Sequence, residues 1–134
     1  MKISRKRFEE IVEQAKRDYP YECCGILASK DDKVVAIHPL TNVDKSSVTY
    51  LANGAQQLAA IRAVEDASLT LAAIYHSHPN SPCYPSARDV NMAYYPDAAY
   101  VIISLHIWEK PEVKAFRIVD GIISQSELVI EEGD

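Results

Sequence analysis

The sequence predicts an α+β domain in which a mixed sheet carries flanking helices. Three observations predict it. Strand-like apolar runs alternate with amphipathic segments in the order helix, strands, helix, strand, short helix, strands. Short polar turns of the hairpin kind, Lys30-Asp31-Asp32 and Asp120-Gly121, join neighbouring runs. No repeat, linker or low-complexity stretch breaks this order, and 134 residues fit one domain, 1–134.

In chain order, Ser4 is placed to cap a first helix whose apolar positions Phe8, Ile11, Val12, Ala15 and Tyr19 recur at helical spacing. Pro20 ends it. Glu22 to Ser29 and Lys33 to Pro39 read as two strands of a hairpin. Leu40 to Ala52 is polar and loop-like, with Val48-Thr49-Tyr50 extended within it. Asn53 and Gln56 read as an N-cap and its reciprocal glutamine, opening a helix through Leu58, Ile61 and Val64 to about Ala67. Leu69 to Tyr75 is apolar and partly β-branched, a buried strand running into His76. Ser86 opens a short helix, Ala87 to Tyr95. Ala98 to His106 is a second buried strand, and Val113 to Val119 and Ile122 to Ile130 are two more.

Composition removes several function classes. The chain is 48% apolar and 25% charged, ordinary for a soluble globular protein. A net charge of -5 without a basic run argues against a nucleic-acid groove. No apolar stretch is long enough to span a membrane, and the charged N-terminus leads into no secretory core, so a cytoplasmic location is expected. Three cysteines make no disulfide framework, which fits a reducing compartment. A zinc deaminase is excluded, because its His-x-Glu and Pro-Cys-x-x-Cys elements are missing.

The chemistry lies in Tyr75-His76-Ser77-His78-Pro79, followed by Pro85-Ser86-Ala87-Arg88-Asp89. Side chains two apart on a strand share a face, so His76 and His78 aim at one point while Ser77 faces away. Pro79, Pro82 and Pro85 stop the strand and stiffen the loop that follows. With Ser86 as N-cap, Asp89 falls on the first helical turn and its carboxylate swings back to the histidines. Two imidazoles and a carboxylate close three sides of a tetrahedral metal site. Taken singly these pieces are bland: Ser86-x-x-Asp89 is a capping box in many helices, and His-x-His is often solvated. Their coincidence across a proline-rich loop carries the metal reading.

His-Ser-His-Pro, seven residues to Ser86 and two more to Asp89 resemble the H-x-H-x7-S-x2-D pattern of the JAMM (MPN+) metalloproteases. The resemblance runs from the first helix through Tyr100 to Leu105, and no motif position departs from the pattern. It implies a cytidine-deaminase-like/MPN architecture, a curved and mostly antiparallel sheet. It implies Zn2+ held by His76, His78 and Asp89, with a fourth position left to water. It also implies a role for Glu22, which its neighbours alone would mark as a solvated loop residue. Glu22 would be the general base turned general acid, and Ser86 the hydrogen-bond donor to the oxyanion.

Members of that family cut peptide or isopeptide bonds after the C-terminal Gly-Gly of ubiquitin and its relatives. The compact prokaryotic type is associated with ubiquitin-like sulfur-carrier proteins, so such a protein is the expected partner, with no nucleic acid and no membrane. Two other classes stay open at this level: a catalytically silent binding module of the same fold, and a zinc hydrolase of small amides. His38 and His106 lack a partner at ligand spacing and are expected to be structural. Arg88 reads as a solvated first-turn residue, and Tyr94, Tyr95 and Tyr100 as core and rim. Cys83 lies between His78 and Ser86; it is either a small loop residue facing away or a thiol able to reach the open metal position.

Overall fold

The first hairpin forms, with its first strand starting at Cys24 rather than Glu22: β2 (Cys24–Lys30) pairs antiparallel with β3 (Lys33–Leu40). Asp31 and Asp32 both take positive φ, the backbone of a two-residue turn matched to strand twist, and Asp tolerates that region better than bulky residues. The computed structural model describes residues 1–133. Along with this hairpin they contain β1 (Lys2–Ser4), β4 (Thr70–His78), β5 (Ala99–Ser104), β6 (Glu112–Val119), β7 (Ile122–Ser126) and β8 (Val129–Glu131). The helices are α1 (Arg5–Asp18), α2 (Gly54–Asp66) and α3 (Ala87–Asn91).

All eight strands make one mixed sheet in the order β7-β6-β5-β4-β2-β3-β1-β8. The β4–β5, β1–β3 and β1–β8 pairs are parallel and the rest antiparallel. The outermost strands β7 and β8 are joined by Glu127 and Leu128 alone. Their ends therefore stand at most about 11 Å apart, and the sheet has to curl until its edges nearly meet.

Alternation along the strands divides the core. Ala73 and Tyr75 of β4 face one side of the sheet with Leu27, Val101 and Ile103, where α1 lays Ile11 and Ala15. Cys24, Ile26 and Ala28 of β2 face the other way and are covered by Ala60 and Val64 of α2. Gly25 lies opposite Tyr75 in register because only a hydrogen fits there: a Cβ would fall 2.2 Å from the Tyr75 ring. The Tyr75 hydroxyl donates to Gln14 Oε1, and Gln14 Nε2 donates to the Cys24 carbonyl at 3.2 Å, so α1 is locked to the start of β2.

Three further expectations are corrected, and one strand is added. The first strand, β1, is too short to carry a period, and pairing with β3 and β8 creates it. The run from Ile122 to Ile130 is two strands on opposite edges, β7 and β8, because the chain crosses the seam of the curled sheet. The third helix ends at Asn91 rather than Tyr95: the Tyr95 amide donates to the Tyr100 hydroxyl at 3.0 Å, and Pro96 pushes Tyr95 out of helical backbone. Asn53 caps α2 through Gln56 N, but the Gln56 side chain bonds Thr41, accepting from its amide at 2.7 Å, and ties the incoming loop to the helix instead of closing the box. Among the described residues no helix is long and apolar enough to cross a membrane.

Candidate metal centre

The antiparallel ladder sets Cys24 opposite His76, so Glu22, two residues before, arrives beside the end of β4 where His78 lies. β4 itself runs through both histidines, and His76 and His78 share a face with Ile74. The loop after Pro79 is held along its length. His78 Nδ1 donates to the Pro82 carbonyl at 2.9 Å, Ser104 Oγ donates to the Ser81 carbonyl at 2.7 Å, and Tyr84 packs edge-on against Phe116. That loop delivers Ser86 as the N-cap of α3: Asp89 N donates to Ser86 Oγ at 3.1 Å, and Ser86 N donates to Asp89 Oδ2 at 2.9 Å. The capping box is therefore real, and it aims the Asp89 carboxylate at the histidines.

Three donor atoms converge. His76 Nε2 and His78 Nε2 are 3.1 Å apart, and Asp89 Oδ2 is 3.1 Å from the first and 3.0 Å from the second. Around a tetrahedral ion with bonds of about 2.0–2.1 Å, donors stand about 3.3–3.4 Å from one another, so this triangle closes on such an ion with only a slight opening. The donor chemistry points the same way. Because the proton of neutral His78 sits on Nδ1, facing the Pro82 carbonyl, its Nε2 lone pair faces a carboxylate oxygen and a second imidazole. With the His76 proton likewise on Nδ1, the three facing atoms are all acceptors, an arrangement that a cation between them resolves. His76, His78 and Asp89 form a cluster able to hold a metal ion.

Charges respond accordingly. Burial works to raise the Asp89 pKa, but hydrogen bonds from His76 and His78, with the charge of His76 and the Ser86 amide, outweigh it, and the carboxyl is held far below the usual range. Burial lowers the His76 pKa and prevails over Asp89. At His78 burial also works downward, but the hydrogen bonds to Asp89 and to the Pro82 carbonyl win, and the pKa is raised. A proton on His78 then occupies the donor a metal needs, whereas His76 stays neutral to lower pH. Zinc affinity should thus fall on acidification as His78 takes up its proton, with a slope that approaches one proton released per ion bound. A chelator competition at falling pH checks it; a slope of two protons or of none contradicts the assignment.

Glu22 is buried, with 4% of its surface exposed, and its Oε1 has no hydrogen-bond partner among the described residues. Burial, with a smaller contribution from Asp89, pushes its carboxyl up to about 8, against the opposing charges of His78 and Arg88. A buried, unpartnered carboxylate oxygen within the field of the cluster is costly for stability and suited to exchanging a proton. His76 Nδ1 is likewise without a partner, and the His76 ring stacks on Tyr50 with centroids 4.7 Å apart.

The remaining candidates fall outside the cluster. His106 Nδ1 bonds the Asn80 carbonyl and His38 lies on β3, opposite Ile26. Arg88 pairs with Asp44 at 3.6 Å, so it is not simply solvated. Tyr100 is core and Tyr94 is rim. Cys83 faces away from the metal cluster: its thiol donates to the Ile102 carbonyl at 3.2 Å, packs on Phe116, and is pushed up by burial to about 11. Of the two readings of Cys83, the structure favours the small loop residue facing away. Sequence patterns gave no sign of Tyr50, Asn42 or Ser104, whose roles depend on loop geometry.

A sequence profile of prokaryotic homologs of the JAB domain matches residues 4–119, nearly the whole length over which the fold and this cluster are built. The chain belongs to the prokaryotic JAB family. Within the family, it is 38% identical over 124 residues to the CysO-cysteine peptidase of Mycobacterium tuberculosis, covering 91% of this chain and 85% of the relative. It is 37% identical over 120 residues to a probable TtuB-protein conjugate cleaving protease of Thermus thermophilus, covering 89% and 76%. Among solved structures, protein DSY2949 from Desulfitobacterium hafniense superposes with a TM-score of 0.89 at 31% identity, over 98% of this chain and 93% of that one. AF2198, a JAB1/MPN domain protein from Archaeoglobus fulgidus, shares the fold at 22% identity and a TM-score of 0.67, over 97% and 98%. The curled mixed sheet with flanking helices is the JAB1/MPN fold, and this JAB-family chain is an enzyme of the JAMM hydrolase type.

Proposed function

We propose that this JAB-family enzyme is a zinc-dependent peptidase or isopeptidase that hydrolyses the bond after the C-terminal Gly-Gly of a ubiquitin-like or sulfur-carrier protein. The observation that carries the proposal is the triangle of His76, His78 and Asp89 donors with the buried Glu22 carboxyl beside it. Two imidazoles and a carboxylate suit zinc, which when bound makes water acidic near neutral pH and polarises a carbonyl.

The protein's own groups do the rest. Neutral His76 and His78 and ionised Asp89 hold the ion, and the Pro82 carbonyl and the Ser86 amide orient two of these ligands. Glu22 takes a proton from the attacking water and returns it to the leaving amine. A bound dication would favour the ionised carboxyl and so oppose the burial that pushes Glu22 up to about 8. Ser86 Oγ already accepts from Asp89 N, which leaves its hydroxyl proton free to meet the oxyanion of the tetrahedral intermediate. Ser86→Ala should lower kcat about 10²–10³-fold and cost about 1 kcal/mol as a lost N-cap. Kinetics beside thermal melts separate the two effects; unchanged kcat removes Ser86 from the oxyanion role.

The substrate class draws on the relatives' names, one describing a CysO-cysteine bond and one TtuB-protein conjugates. Both describe a protein joined to a further group by a hydrolysable bond. The test is to incubate zinc-loaded enzyme with ubiquitin-like proteins extended beyond Gly-Gly and to follow product masses. Release of a species ending in Gly-Gly is expected. Cleavage of short amides with the extended proteins left intact would overturn the substrate.

A further inference from the structure

Every hydrogen-bonding position of the Asn42 side chain is used, and each partner is a backbone group. Oδ1 accepts from Asp44 N and from Leu51 N, both at 3.0 Å. Nδ2 donates to the Glu22 carbonyl at 3.0 Å and to the Thr49 carbonyl at 3.1 Å. Two amide donors and two carbonyl acceptors fix the orientation of the side chain, since the flipped form satisfies none of them. Three of the four bonds knit the 43–51 loop to itself, together with Val43 N donating to Leu51 O at 2.8 Å. The fourth leaves the loop and goes to Glu22.

That bond matters because Glu22 lies outside the sheet ladder, which begins at Cys24. Its backbone is held by other means. Glu22 N donates to the Ser46 carbonyl at 2.8 Å, its carbonyl accepts from Asn42, and the next amide, Cys23 N, donates to Ser77 Oγ at 2.7 Å. Two of these three ties come from the 42–46 stretch. The same loop stacks Tyr50 on His76 and pairs Asp44 with Arg88, so it braces the metal cluster and Glu22 together.

We propose that Asn42 is a positioning residue: by tying the Glu22 carbonyl to the 43–51 loop it holds the Glu22 carboxylate at the reacting centre. The proposal rests on Glu22 being the proton-transferring group. Glu22 Oε1 has no hydrogen-bond partner among the described residues, so the backbone ties set where the carboxylate can go. A displacement of about 1 Å at such a group costs on the order of 10²-fold in rate.

Asn42→Asp keeps both acceptor bonds and puts an oxygen where the donor faced the Glu22 and Thr49 carbonyls, and exchange of the Leu51 amide, whose bond to Oδ1 is kept, reports whether the loop stays closed. In the zinc-loaded full chain, the Glu22 amide should exchange with solvent about 10- to 100-fold faster while the β4 amides stay as in wild type. With a ubiquitin-like protein extended by one cysteine beyond Gly-Gly, kcat should fall about 10- to 100-fold at unchanged KM and zinc content. In a Glu22→Gln background the same change should add no further loss. Unchanged Glu22 exchange overturns the proposal, as does an equal loss in both backgrounds. Should Glu22→Gln itself be fully active, the base assignment fails, and the exchange rates still decide whether Asn42 holds Glu22. If Asn42→Asp does not fold, Asn42→Ala removes the donor without adding charge. Failure of both to fold makes Asn42 a scaffold residue and overturns the positioning role.

Discussion

Glu22→Gln should retain one zinc per chain and lose hydrolysis by about 10²–10⁴-fold, equivalent to about 3–5 kcal/mol of transition-state stabilisation. The substitution keeps the shape of a buried side chain and removes only its ability to exchange a proton. Metal binding should survive because Glu22 contributes no atom to the donor triangle. The loss should fall on kcat, since Glu22 acts on the proton inventory of the reaction rather than on holding substrate. Metal analysis and steady-state kinetics on one preparation check both halves. Activity within tenfold of wild type removes Glu22 as the base, and loss of zinc places it among the ligands.

His78→Ala should abolish both zinc binding and hydrolysis. The residue meets both other donors: its Nε2 meets His76 and Asp89, and its Nδ1 donates to the Pro82 carbonyl in the loop to Ser86. The clearest readout is thermal. At a hundredfold excess over Kd, zinc stabilises the wild type by about 2.7 kcal/mol, a rise of about 10 °C in Tm for a chain of this size. That rise should vanish in His78→Ala. A variant that still gains the full increment with zinc would mean that the ion sits elsewhere.

The site was more legible in the sequence than the sheet that carries it. His76, His78, Ser86 and Asp89 could be placed because they are close in sequence and because strand alternation and helix capping are local rules. The first hairpin and the caps Ser4 and Asn53 were legible on the same grounds. Glu22 was not, since nothing local distinguishes it from a solvated glutamate; its burial comes from the antiparallel register that sets Cys24 against His76, and from a loop twenty residues on. The split of Ile122 to Ile130 into β7 and β8 was equally hidden, because one continuous apolar run gives no hint that the sheet has curled around to receive its second half on the far edge. Asn42 shows the limit most clearly. An asparagine in a polar loop is unremarkable by composition, and its four bonds exist only once the loop has closed.

The most direct measurement is anomalous diffraction at the zinc edge from crystals of the zinc-loaded protein. One peak is expected, within about 2.0–2.2 Å of His76 Nε2, His78 Nε2 and Asp89 Oδ2 together. A peak elsewhere, or none at stoichiometric zinc, would contradict the account.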